Sequence, residues 1–157
     1  RGDSGRTPLN ITGFDLTEMM KEVWEESVMI DDAHTYRFEG GGEIPMRGDV
    51  SLIKQAARIL IESASKYTPE GGEIMLRSLV SDGHPAFSVQ DSGIGIKKSD
   101  IPHIFERFYR ADDSRSKQTG GSGLGLAIAK WIVERHGGRF EVLSRKDLGT
   151  RITVILP

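Results

Sequence analysis

The 157-residue sequence contains no cysteine. Disulfides, thiolate metal sites and a cysteine nucleophile are therefore excluded, and their absence is typical of a reducing compartment. An excess of one charge is also lacking, since 21 Lys and Arg stand against 23 Asp and Glu, a net charge of −2. Without a basic excess, the composition does not indicate a nucleic-acid partner.

Long apolar runs are missing as well. No stretch approaches the roughly 20 residues that a membrane-spanning helix needs, and the first ten residues, RGDSGRTPLN, do not form a signal-peptide pattern. The hydrophobic share of 37% and the charged share of 28% are those of a globular protein. We therefore expect a soluble piece of a larger protein, with one domain over 14–157 and a linker or remnant of a preceding segment over 1–13.

Hydrophobic periodicity predicts helices that alternate with strands. Asp15 with Glu18 three residues later forms a capping-box pattern, and apolar residues at helical spacing follow it. A second helix begins at Asp49, and a third follows a glycine-rich stretch and ends at Gly137. The second helix carries an apolar stripe made of Ile53, Ala56, Ala57, Leu60, Ile61 and Ala64. Strands are predicted over 35–39, 73–80, 86–90, 140–143 and 150–156. This order predicts an α/β fold of the two-layer α+β type, a mixed sheet of about five strands covered on one face by three long helices.

The second helix ends in RILIESASKYTPEGG, residues 58–72, which places Glu62, Ser63 and Lys66 along one side. The pattern is compatible with the polar edge of an ordinary buried helix. A carboxylate, a hydroxyl and an ammonium within about one turn could also face a phosphate and its metal ion. The residues alone leave both interpretations open.

Two glycine-bearing stretches are candidate ligand sites. In DSGIGI, residues 91–96, a strand delivers Asp91 into a turn whose glycines can adopt positive φ, so the carboxylate could accept a hydrogen bond from an amino group such as that of adenine. GGSGLG, residues 120–125, precedes a helix and leaves backbone N–H groups available for an anion. A plain tight turn and a flexible linker are the alternatives.

The segment between these stretches combines aromatic and basic residues. In FERFYRAD, residues 105–112, the two phenylalanines are three residues apart, as core residues would be, and the arginines are either solvated or in contact with a phosphate. A polar segment over 112–119 follows and carries Arg115 and Lys117. This segment lies directly before the glycine-rich start of the third helix, which could bind a phosphate, and such a position is typical of a lid.

Together, these stretches resemble the ATP-binding catalytic domain of sensor histidine kinases, in the superfamily that includes gyrase and the Hsp90-type chaperones. DSGIGI is similar to the G1 box of that family, FERFYR to the F box, GGSGLGLAI to the G2 box and KYTPEGG to the end of the N box. The resemblance runs from about Phe14 to Pro157 and implies Mg-ATP as cofactor and a lid over the triphosphate.

The resemblance assigns nucleotide binding to Lys66, Tyr67, Asp91, Gly93, Gly95, Ile96, Phe108, Arg110, Lys117, Gly121, Gly123, Leu124, Gly125 and Thr153. It implies that Asp91 holds the adenine amino group, that Lys66 lies towards the phosphates, and that Thr153 lines the adenine end. Glu62 takes the position of the carboxylate that polarises the acceptor. The implied partners are ATP or ADP, a histidine-bearing dimerisation domain of the same parent protein and a response regulator. The implied location is cytoplasmic, with membrane anchoring of the parent left open and the isolated fragment a monomer.

The N box departs from the family pattern at two positions. Ile59 and Ser63 stand where the family has asparagines, and the second of these asparagines is the family's Mg²⁺ ligand, so Ser63 becomes the metal candidate. Three functions stay open: the catalytic domain of a histidine kinase, a degenerate nucleotide-sensing module with weakened metal binding, and a related serine kinase that acts on a small protein. The lid length and the FERFYR stretch favour the sensor kinases over the last of these.

Overall fold

The computed structural model describes residues 8–107, 109 and 124–157. Its helices are α1 (Leu16–Ile30), α2 (Val50–Lys66) and α3 (Gly125–Arg135), with a short 3₁₀ turn at Ile101–His103. Its strands are β1 (Thr12–Asp15), β2 (Thr35–Glu39), β3 (Pro45–Gly48), β4 (Glu73–Ser81), β5 (His84–Asp91), β6 (Arg139–Arg145) and β7 (Gly149–Ile155). No helix in these ranges combines the length and the apolar character that crossing a membrane requires.

Five of the strands form one mixed sheet in the order β2-β4-β5-β7-β6. The β2–β4 pair is parallel, and the remaining pairs are antiparallel. The β4–β5 hairpin turns through Asp82 and Gly83, which both have positive φ, 49° and 81°. Aspartate followed by glycine supplies these angles in a two-residue turn. The predicted hairpin is confirmed, with strands slightly longer than expected.

The three helices provide the second layer of the predicted sandwich. All six residues of the predicted α2 stripe are buried. Asp49 caps this helix by accepting a hydrogen bond from Leu52 N at 3.2 Å, and Asp15 caps α1 through Thr17 N at 3.1 Å. The predicted fold class and both helix starts are therefore confirmed.

A second, two-stranded sheet was not predicted. In it, β1 pairs with β3 in antiparallel register. The cap of α1 helps to hold this sheet in place, because Asp15 Oδ1 also accepts a hydrogen bond from Ile44 N at 2.9 Å, just before β3. The sequences of β1 and β3, TGFD and PMRG, are short and contain glycine, so neither shows the alternation of apolar and polar residues that predicts a strand.

Helix α3 ends as its glycines predict. Gly137 has a φ of +77°, and Gly138 N donates to the carbonyl of Val133 at 2.9 Å, which are features of a Schellman cap. The buried face of α3 consists of Ala129, Ile132 and Val133. Trp131, directly before Ile132 in the sequence, is 40% exposed.

Candidate functional site

A cavity of about 390 Å³ opens at one end of the sandwich. Its wall is formed by the C-terminal half of α2, the ends of β5 and β7, the segment after β5, the start of α3 and the β6–β7 turn. The apolar lining residues are Leu60, Ala64, Val89, Ile94, Ile96, Ile104, Leu126 and Ile152. The polar lining residues are Ser63, Tyr67, Asp91, Lys97, Asp100, Tyr109, Lys146, Asp147 and Thr150. Apolar atoms form most of the surface of the cavity, and an apolar cleft with convergent polar groups is the usual form of a small-molecule site.

Asp91 is held at the end of β5 by two backbone donors. Its Oδ1 accepts hydrogen bonds from Gly93 N at 2.9 Å and from Thr150 N at 3.3 Å. Burial raises the pKa of the Asp91 carboxyl, and the two backbone hydrogen bonds only partly offset this effect. A ligand that donates a hydrogen bond to this carboxylate would compensate for its desolvation.

The turn after Asp91 approaches its neighbours too closely for any side chain at two positions. A Cβ on Gly93 would lie 2.3 Å from the carbonyl oxygen of Tyr67, and one on Gly95, whose φ is +78°, would lie 2.3 Å from that of Arg145. Hydrogen bonds hold the turn on both sides, from Ile94 N to Tyr67 O at 3.2 Å and from Asp147 N to Ile94 O at 2.7 Å. The glycines therefore allow the turn to fit between α2 and the β6–β7 turn.

The end of α2 presents its polar residues to different surroundings. Ser63 and Tyr67 line the cavity. Lys66 Nζ lies 3.7 Å from Glu62 Oε1, and the Glu62 side chain is 73% exposed, so this pair lies on the outer surface beside the cavity. Ile59 packs in the cluster between α2 and α3, and a Cβ on Gly125 would lie 3.4 Å from its Cγ2.

The structure brings together five of the residues that the resemblance assigned: Ser63, Tyr67, Asp91, Gly95 and Ile96. Gly93 contacts Asp91 through the hydrogen bond from its backbone N–H to Asp91 Oδ1. Leu124 is the N-cap residue of α3 and Gly125 its first residue, next to the cavity-lining Leu126. Five further predicted residues lie outside the described residues: Phe108, Arg110, Lys117, Gly121 and Gly123.

Thr153 is not brought to the cavity, and Thr150 lines it instead. Side chains alternate between the two faces of a strand, so Thr150 and Ile152 share the inner face of β7 while Thr153 lies on the other. Thr153 therefore does not line this cavity, and Thr150 is the β7 threonine that does. The alternation of β7 is readable in the sequence and could have identified the right threonine.

Five other polar residues that line the cavity are not among the predicted site residues: Lys97, Asp100, Tyr109, Lys146 and Asp147. Asp100 and Tyr109 lie in the segment after β5, and the Tyr109 hydroxyl donates a hydrogen bond to Asp100 Oδ1. In the sequence, an aspartate directly before a short helical turn indicates a helix cap, which concealed its position at a ligand cavity.

The polar residues fit a metal ion only together with a ligand that supplies further oxygens. In the part of the chain that the structure describes, no group of three or more His, Asp or Glu side chains could hold a metal ion. Ser63 offers one hydroxyl at the cavity wall. Because Mg²⁺ keeps several waters and commonly binds through substrate phosphates and one or two protein oxygens, the site fits a metal that arrives with a phosphorylated ligand.

The comparisons with known proteins agree with this geometry. A family model described as "Histidine kinase-, DNA gyrase B-, and HSP90-like ATPase" matches residues 48–157. The sensor histidine kinase YkoH of Bacillus subtilis (strain 168) is 45% identical over 109 residues, which are 69% of this chain and 24% of that protein. The chain thus spans about a quarter of the length of this relative.

Solved structures give the same result for the fold. The mycobacterial sensor histidine kinase MprB matches with a TM-score of 0.83 and 30% identity, over 93% of this chain and 97% of that one. Full-length ShkA in complex with AMPPNP matches with a TM-score of 0.83 and 24% identity, over 96% of this chain and 32% of that one. The chain therefore belongs to the histidine kinase-, DNA gyrase B- and HSP90-like ATPase family, and it is an ATP-binding catalytic domain of the sensor histidine kinase type.

Proposed function

We propose that this domain, with bounds 14–157, holds ATP and Mg²⁺ so that the terminal phosphate can be transferred to a histidine on a separate helical dimerisation domain of the same parent protein. A response regulator would then receive the phosphate. The observation that carries the proposal is the Asp91 carboxylate, fixed by two backbone N–H groups at the wall of an apolar cavity. This proposal places the domain in the cytoplasm, as a monomer when isolated.

The described residues would supply more contacts for the adenine base than for any other part of the nucleotide. An adenine ring presents two apolar faces and one amino group. The apolar residues of α2 and of the turn after β5 would cover the faces, and Asp91 would accept a hydrogen bond from the amino group. ShkA was solved with AMPPNP, an ATP analogue, in the same fold, which supports this assignment.

The phosphate end would be served by the last turns of α2. We assign Ser63 to Mg²⁺, because its hydroxyl is at the cavity wall, and Lys66 to the phosphates, which its charge would attract. Glu62, exposed beside them, would orient or polarise the acceptor group when the partner domain docks. Mg²⁺ when bound would neutralise phosphate charge, and the protein contributes positioning and electrostatics.

The relatives named above are sensor histidine kinases. They give no support to the alternative of a degenerate nucleotide-sensing module. Ile59 packs in the apolar cluster between α2 and α3. This packing explains why isoleucine stands where the family has asparagine, and it leaves the cavity intact.

Phosphoryl transfer in trans tests the proposal. The chain is incubated with radiolabelled ATP, Mg²⁺ and the separately produced helical domain of its parent protein. We expect acid-labile phosphate on the helical domain, and a strong reduction when Asp91 is replaced by asparagine. If the unsubstituted chain binds ATP but transfers no phosphate to a helical domain that contains the acceptor histidine, the proposed transfer function is wrong.

A further inference from the structure

Asp100 is one of three aspartates that line the cavity, with Asp91 and Asp147, and it is only 6% exposed. It directly precedes the 3₁₀ turn at Ile101–His103, yet its side chain makes no capping hydrogen bond there. Its Oδ1 accepts a hydrogen bond from the Tyr109 hydroxyl. Its Oδ2 is buried and has no hydrogen-bond partner among the residues that the structure describes.

An acceptor in this state is costly. Burying a carboxylate oxygen without a donor loses the hydrogen bonds that water would provide, and buried polar atoms in folded proteins are nearly always paired. The Asp100 side chain does not serve the helix start, which would be the ordinary reason for an aspartate at this position. Because Asp100 lines a ligand cavity, its unpaired oxygen points to a ligand as the donor, which a rotation of the side chain towards the cavity would bring into reach.

An adenine nucleotide has few groups that can donate a hydrogen bond. At neutral pH its phosphates are acceptors, and its donors are the amino group of the base and the hydroxyls of the ribose. Under the proposed function, on which this inference rests, Asp91 accepts from the amino group. The ribose hydroxyls are the donors that remain for Asp100.

We propose that Asp100 accepts a hydrogen bond from a ribose hydroxyl and thereby makes the site selective for ribonucleotides. Tyr109 would position the carboxylate by holding its other oxygen. The Asp100 side chain would thus be a specificity-determining group that contacts the sugar, and would act separately from the recognition of the base by Asp91.

The test compares the binding of ADP and of 2′,3′-dideoxy-ADP to the chain by calorimetry, in the presence of a chelator so that metal binding does not contribute. The parent chain should bind the dideoxy nucleotide about tenfold more weakly or worse, as expected when a hydrogen bond to a charged group is lost. Asp100→Ala should reduce this difference to within about threefold. The single 2′- and 3′-deoxy nucleotides then identify the hydroxyl.

Tyr109→Phe is the matched control, because it removes the hydroxyl bonded to Oδ1 but leaves Oδ2 in place. This variant should keep most of the discrimination, and a loss as large as that of Asp100→Ala would overturn the assignment to Asp100. Equal binding of the two nucleotides to the parent chain would overturn it even if Asp100→Ala failed to fold. Absence of ADP binding to the parent would instead refute the proposed function, so the two failures can be told apart.

Discussion

Replacing His34 by glutamine should remove a pH-dependent part of the domain's stability. The Nδ1 atom of His34 lies 2.6 Å from Asp31 Oδ2, and its Nε2 atom lies 2.7 Å from the carbonyl oxygen of Thr68. The Tyr36 hydroxyl donates to the same Asp31 oxygen at 2.7 Å. Since a carbonyl and an ionised carboxylate can only accept, the imidazole makes both hydrogen bonds as a donor only in its protonated form.

The direction of the pH dependence follows from the pKa of His34. Burial lowers this pKa, but the hydrogen bonds to Asp31 and to the Thr68 carbonyl, with the charges of Asp31 and Glu70, outweigh burial and raise it above the usual 6.5. A raised folded-state pKa means that the stabilisation is complete below about pH 6.5 and is lost as the pH rises through the folded-state value. The contribution of Asp31 to stability depends on pH in the opposite direction. Burial raises the pKa of Asp31, but the hydrogen bonds from Tyr36, His34 and Ala33 outweigh burial and lower it. The stabilisation that Asp31 provides is therefore lost as the pH falls.

The size of the effect follows from the two contacts of the imidazole. A hydrogen bond to a charged group contributes about 1.5–3 kcal/mol, and glutamine can replace part of one contact. We expect His34→Gln to lower the free energy of unfolding by about 2 kcal/mol at pH 6, which corresponds to about 4–8 °C in Tm for a chain of this length. Above the folded-state pKa of His34 the difference should fall below about 1 kcal/mol.

The measurement is urea unfolding of the parent, His34→Gln and His84→Gln between pH 5 and 9. His84 is exposed at the start of β5, so its removal controls for the loss of a histidine as such. A stability difference between the parent and His34→Gln that is constant over this range would show that His34 is not held as an imidazolium. The contact has functional interest because Thr68 directly follows Tyr67, which lines the cavity.

Three further predictions concern the site and the isolated chain. Ser63→Asn should strengthen ATP binding by roughly tenfold, about 1.4 kcal/mol, in Mg²⁺ but not in a chelator. If ATP binding by the unsubstituted chain and by Ser63→Asn depends equally on Mg²⁺, either the metal assignment is contradicted or the serine hydroxyl already binds the metal sufficiently. Gly93→Ala should lower the free energy of unfolding by about 1–3 kcal/mol, because the new Cβ would lie 2.3 Å from the carbonyl oxygen of Tyr67. Gly13→Ala is the control, since its Cβ would have no contact closer than 3.8 Å, and it should be nearly neutral. Thermal unfolding measures both variants. The chain incubated alone with ATP should acquire no acid-labile phosphate, since none of its histidines has an acceptor-like context; labelling of the chain would refute this.

Periodic patterns predicted the layers of the fold well. The α2 stripe and the β4–β5 hairpin depend on contacts between near neighbours in sequence, which a single segment records. The two-stranded β1–β3 sheet depends on a pairing between distant four-residue strands, and no local pattern indicates it.

The site was predicted unevenly for the same reason. Asp91 is marked by the glycines that follow it, so its motif is local. Asp100 lines the cavity together with residues of α2, which lie far from it in sequence, and its sequence context indicates a helix cap instead. Thr150, and not Thr153, lines the cavity because side chains alternate along β7, and the resemblance alone does not take account of that alternation.

The most direct test of the central claim, that this cavity binds an adenine nucleotide through Asp91, is calorimetric titration of the parent and Asp91→Asn with ADP in a chelator. Asparagine has nearly the same shape, but either its amide N–H group faces the adenine amino group, or its side chain turns over and loses the hydrogen bonds from both Gly93 N and Thr150 N. We predict that the parent binds ADP and that Asp91→Asn binds it about 10–100-fold more weakly, as the loss of a hydrogen bond to a buried carboxylate implies. Equal affinity in the two proteins would contradict the account.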